Sequence, residues 1–137
     1  MRLFRSSLAR AAALAFVVVL PAACESGFLD PELAGSWGGA DMEVTVEASR
    51  VTARQQCNTV SHFPGDVRLG EQREFRRDGV VRIGSESHDV VLSAWLSGPD
   101  TMMAMVYSPD PLADPAPPIM LVRGRPATWN SLVLCAQ

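Results

Sequence analysis

In Met42-Glu43-Val44-Thr45-Val46-Glu47-Ala48 apolar and polar residues alternate without a fault, and after Ser49 the run from Arg50 to Cys57 takes up the alternation again. A period of two puts every second side chain on the same face of a strand, so this stretch predicts a hairpin with one wet face. No segment of the chain keeps a 3.6 period over three turns, and no internal repeat is visible. Strands therefore dominate the rest of the reading. Val67–Leu69 predicts a short strand ended by Gly70, and His62-Phe63-Pro64-Gly65-Asp66 reads as a turn. Asp78-Gly79 predicts a hairpin turn between Glu71–Arg77 and Val80–Ile83, because both residues tolerate positive φ. Asp89–Ser97 and Thr101–Tyr107 form the central hairpin, and Val90, Leu92, Ala94 and Leu96 are the face expected to point inward. Ser108–Pro118 holds five prolines in eleven residues and predicts a stiff, extended loop. Ile119–Arg123 and a segment from Trp129 or Ser131 to Cys135 complete the set. The expected fold is all-β: a single antiparallel meander or barrel of about eight strands, closure removing the exposed edges.

The first 23 residues stand outside that pattern. Arg2, Arg5 and Arg10 precede an apolar run from Ala11 to Leu20, and Pro21-Ala22-Ala23 leads to Cys24. This is the layout of a secretory signal, and the run is shorter than the roughly 20 residues that span a bilayer. Leu20-Pro21-Ala22-Ala23-Cys24 resembles a bacterial lipobox, with Leu one place further from the Cys than is usual, so Cys24 is the expected lipidation site. Residues 24–33 then read as a tether and 34–137 as the barrel domain. The expected location is the bacterial cell envelope, anchored to a membrane; ordinary cleavage giving a soluble periplasmic or secreted protein is the alternative.

Removing residues 1–23 leaves nine Arg against fifteen acids, a net charge of −6 where the whole chain has −3. Nucleic acid is a poor partner for such a domain, since its affinity comes from neutralised phosphates. The chain has no Lys, which excludes Schiff-base chemistry and a P-loop lysine. Lipidation of Cys24 leaves Cys57 and Cys135 as an even pair in an oxidising compartment, where a disulfide is the expected state. A reactive thiol or a metal ligand is the competing use.

Gly35-Ser36-Trp37-Gly38-Gly39 opens the domain, Asp100-Thr101-Met102 follows the core strand, Leu121-Val122-Arg123-Gly124 comes near the end, and Cys57 and Cys135 keep their places in that order. Together these resemble a group of small bacterial secreted proteins and lipoproteins with lipocalin-like barrels. The Gly-x-Trp opening also looks like that of lipocalins, whose Trp closes the barrel base. The resemblance implies a fold, a structural role for Gly35 and Trp37, and no activity.

The remaining chemistry is sparse. His62 and Cys57 have a metal-like spacing but lack the three or four ligands zinc needs, so no metal and no cofactor are expected. Ser87-His88-Asp89 is a run of neighbours, not a triad assembled from separate elements, and no nucleophile elbow exists. Met102, Met103 and Met105 could offer thioethers to Cu(I), but are expected to fill core gaps. Arg73, Arg76 and Arg77 form a basic patch interleaved with acids, open to use as a partner contact. The expected function is non-catalytic: a binding or interaction module, with Trp95, Met103, Met105 and Tyr107 as possible contacts to an unknown protein. A lipocalin-like carrier of a small apolar ligand is the alternative.

Overall fold

The structure, a computed structural model, describes residues 29–133 and 135. Eight strands follow one another: β1 Gly35–Gly39, β2 Met42–Glu47, β3 Arg50–Gln55, β4 Thr59–Pro64, β5 Glu74–Ile83, β6 Glu86–Leu96, β7 Thr101–Tyr107 and β8 Ile119–Arg123. Each pairs antiparallel with the next, and β1 pairs with β8, so the meander closes into a barrel. The expected signal 1–23 and Cys24 lie outside the described residues.

The alternation in β2 and β3 does what the period requires. Met42, Val44, Val46, Val51 and Ala53 are buried, while the Glu43–Arg54 ion pair at 3.3 Å spans the outer face. On β6 and β7 the inward row is Leu92, Ala94, Leu96, Met102, Ala104 and Val106, all buried. With Trp37, Phe63 and Leu121 they make one continuous core.

Several sequence boundaries shift. Asp78-Gly79 is not a turn: both residues lie inside β5, opposite Val91 and Val90. The turn comes at Gly84-Ser85, where Ile83 faces Glu86 and Gly84 has φ +62°. Gly79 serves a different need, since a Cβ there would sit 2.3 Å from the His62 carbonyl oxygen of β4. Glycine inside a strand here marks a close crossing of backbones. Residues 59–64 form a strand, although His62–Pro64 within it read as turn chemistry. Their faces are inverted, with Ser61 and Phe63 buried and His62 exposed, so polarity hid the alternation. Gly35–Gly39 is likewise a strand, despite its glycines. Val67 makes only an isolated bridge to Leu29, and no described residue from 129 to 135 belongs to a strand.

Closure depends on a narrow seam. β1 meets β8 only at Trp37–Arg123 and Gly38–Val122. The chain after β8 then continues the seam: Thr128 N–H donates to the Gly39 carbonyl and Asp41 N–H to the Thr128 carbonyl, each at 2.9 Å. A Cβ on Gly38 would lie 2.1 Å from the Arg125 carbonyl oxygen, so only glycine admits this segment. At the same seam Trp37 is fully buried, and its indole N–H donates to the Leu33 carbonyl at 2.9 Å. Arg123 covers the ring, its guanidinium carbon 4.2 Å from the centroid, and donates to the Ala34 and Glu32 carbonyls and to Asp100. Leu33, expected at the end of a tether, is fully buried in the core.

Candidate interaction face

Side chains on β6 and β7 that do not point inward form a partly exposed row on the outside of the barrel. Register places Trp95 beside Met103 and Ser93 beside Met105, while Val91, buried at 1% exposure, lies beside Tyr107. The row continues onto β8, where Met103 faces Met120. Trp95, Met103 and Met120 therefore lie side by side across three strands, about 4.8 Å apart per strand. Met120 is 58% exposed. Arg76 of β5 borders the band, its guanidinium carbon 6.0 Å from the Tyr107 ring centroid. Beyond Met120 the surface dips into an open groove of about 730 Å³, walled by Gly38, Gly39, Ile119, Val122 and Pro126. Of the expected core-filling methionines, only Met102 is inside; Met103 and Met105 face outward. Because Ile119-Met120-Leu121-Val122 is uniformly apolar, its faces had no signal in the sequence, and Met120 and the groove were not expected as part of this surface.

Cys57 and Cys135 form a disulfide, with Cα atoms 5.3 Å apart and 78 positions between them in sequence. Cys57 lies in the tight turn Gln56–Asn58 between β3 and β4, with φ +63°. The bond holds the C-terminal segment across that end of the barrel, helped by Gln56 donating to the Asn130 carbonyl at 2.6 Å. Arg54 stacks on Trp129 at 5.3 Å. Both sulfurs are engaged, which removes the reactive-thiol and metal-ligand uses.

The other candidates do not assemble. His62 is exposed on β4, opposite Thr52 and Val80. Ser87, His88 and Asp89 lie on the exposed end of β6, with His88 Nε2 3.6 Å from Glu86. Among the described residues, no three His, Cys, Asp or Glu side chains converge as a metal site. The basic patch divides: Arg73 pairs with Glu32 at 2.8 Å, while Arg76 and Arg77 share a hollow with Arg68. Comparison with known protein families, curated proteins and solved structures finds no match to this chain.

Proposed function

We propose that this protein is an exported, lipid-anchored barrel of the bacterial cell envelope that works by recognition on its outer face, without catalysis. The observation that carries the reading is the contrast between the two faces of one hairpin. Leu92, Ala94, Met102 and Ala104 fill the interior with no exposure, whereas Trp95, Met103, Met105 and Tyr107 face outward and are partly exposed. A carrier needs interior volume of several hundred Å³ for its ligand, and interior side chains packed this closely favour the outer surface instead. Trp and Tyr on a firm sheet are effective anchors for a protein partner, because little rotamer entropy is lost when they are covered. The signal-like N-terminus, the lipobox-like string before Cys24 and the resemblance to small bacterial secreted proteins and lipoproteins support the location.

A photo-crosslinking amino acid at Met103, in cells of the source organism, tests the reading. A discrete protein adduct is expected, and Trp95→Ala should abolish it without moving the melting temperature by more than about 2–4 °C, since surface truncations cost about 0.5 kcal/mol or less. Absence of any adduct, together with stoichiometric uptake of an apolar dye by the purified protein, would favour the carrier. Cys24→Ser should move the protein from the membrane to the soluble fraction; unchanged partitioning would remove the anchor.

A further inference from the structure

The two ends of the barrel differ in chemistry. One end holds the start of β1, the β2–β3, β4–β5 and β6–β7 connections and the end of β8. Three ion pairs sit there: Arg50–Glu47, Arg73–Glu32 and Arg123–Asp100. The chain also enters at this end, where Leu29 bridges Val67 and the Leu33 carbonyl accepts from Trp37. The other end holds the β5–β6 turn, the proline-rich β7–β8 loop and the C-terminal segment tied by Cys57–Cys135. Ile83, Leu112, Trp129, Leu132 and Val133 are exposed there, and among the described residues no exposed large apolar side chain belongs to the charged end. Two of these side chains are carried on projections. β7 stops opposite Val91, so the β5–β6 hairpin runs on past it through Glu86–Val90 to the turn beside Ile83. Pro109 and Pro111 have no N–H with which to continue the β7 ladder along that stretch. The chain tightens into a turn instead. Ala113 N–H donates to the Asp110 carbonyl at 3.0 Å and Leu112 N–H to the Asp110 carboxylate at 2.9 Å, leaving Leu112 91% exposed. An apolar side chain held out on a bonded, proline-stiffened loop loses little freedom when a partner covers it.

We infer that this end of the barrel docks a basic, amphipathic segment of another protein. The hairpin from Arg82 to Asp89 and the loop Ser108–Pro118 carry Glu86, Asp89, Asp110 and Asp114 against Arg82 alone, a formal charge of −3 with His88 neutral. All four acids are exposed, and among the described residues no arginine pairs with them. Apolar tips set among free carboxylates match a partner whose apolar side chains are flanked by Lys or Arg, and they repel an anionic lipid surface. The tether points the same way, on the reading of Cys24 as the anchor. The five steps of chain from Cys24 to Leu29 reach at most about 18 Å, which keeps the charged end next to the bilayer. The apolar end, about 35 Å away along β6, is left facing the compartment. Trp95 lies near the opposite end of β6 from Glu86, so this surface is separate from the Trp95 face and either can fail without the other.

The probe is a labelled amphipathic helix with leucine on one face and lysine on the other; the same helix with glutamate for lysine is its control. Each is titrated by fluorescence anisotropy against the purified exported protein carrying Cys24→Ser, so that no detergent competes and the outcome is separate from the test of the anchor. Saturable one-to-one binding of the lysine helix is expected, at least tenfold tighter than that of the glutamate helix. Ile83→Ser/Leu112→Ser should weaken it at least tenfold. Asp110→Asn/Asp114→Asn should weaken it at least threefold at constant ionic strength. Glu47→Gln/Glu71→Gln removes the same charge from the other end and should leave it unchanged. Should the serine variant fail to fold, carbene footprinting of the parent replaces it, with protection by the lysine helix expected at residues 83–89 and 108–118. Equal effects of the two acid pairs, no effect of the serine pair, equal binding of the glutamate helix, or protection centred elsewhere overturns the inference. So does burial of the same residues in phosphatidylcholine–phosphatidylglycerol vesicles, read by the same footprint, in place of peptide binding.

Discussion

Trp37→Ala tests whether the clamp at the closing seam holds the barrel together. The side chain is fully buried, so its removal leaves a cavity under Arg123 and takes the N–H donor from the Leu33 carbonyl. Truncating a buried Trp costs about 3–5 kcal/mol through lost burial and the cavity left behind. A domain of this size holds on the order of 5–15 kcal/mol in total, so the variant loses a large share of it. At roughly 4–8 °C per kcal/mol for a domain near this length, the midpoint should fall by on the order of 20 °C. Thermal melts by circular dichroism, paired with urea titration, measure both quantities. Arg123→Met keeps an alkyl stem over the ring but removes the donors to Glu32, Ala34 and Asp100, and should give a smaller loss. A Trp37→Ala midpoint within about 5 °C of the parent would show that this end of the barrel closes without the ring, and the reasoning from burial would be wrong.

Two further perturbations test how the segment after β8 is held against the barrel. Cys57→Ala/Cys135→Ala should cost about 4 kcal/mol from the 78-position loop alone, read from urea midpoints; a loss below about 1 kcal/mol would mean the bond constrains little. Gly38→Ala drives a methyl group against the Arg125 main chain and should destabilise by about 1–3 kcal/mol or more, while Gly84→Asn at an open turn should cost far less; equal effects would contradict the close approach.

Where burial is one-sided, the sequence carried the fold. Met42–Glu47 and Arg50–Gln55 show period two because one face is wet and the other dry. Where that condition fails, the pattern disappears. β4 puts Ser61 inside, its hydroxyl buried with no hydrogen-bond partner among the described residues, and shows His62 to solvent, so His62–Pro64 read as a turn. β1 is mostly glycine because the 125–127 backbone lies against it, a tertiary reason that no local pattern records. Asp78-Gly79 has sound hairpin chemistry, but β5 pairs with β6 without a break past both residues, and that ladder overrides the local preference. For the outer band, Trp95, Met103, Met105 and Tyr107 could be assigned to strands and faces from sequence; their alignment with Met120 needed the register between strands. The basic patch at Arg73, Arg76 and Arg77 was visible as a run of charges, but Glu32, which pairs with Arg73, lies 41 positions away.

The narrowness of the β1–β8 ladder also sets the order in which the chain can assemble. Seven of the eight ladders join strands adjacent in sequence, and can zip as successive hairpins on the microsecond scale of local pairing. The remaining ladder brings Trp37 to Arg123, nearly the whole length of the domain apart, and concentrates the loop-closure entropy in one late step. Before that step the open sheet has two unpaired edges, β1 beside β2 and β8 beside β7, and it is prone to pair with another chain. Amide exchange in the folded protein should then be fastest along Trp37–Gly38 and Val122–Arg123 relative to the β5–β6 ladder. The line along which the barrel opens under stress is the one along which it last closed.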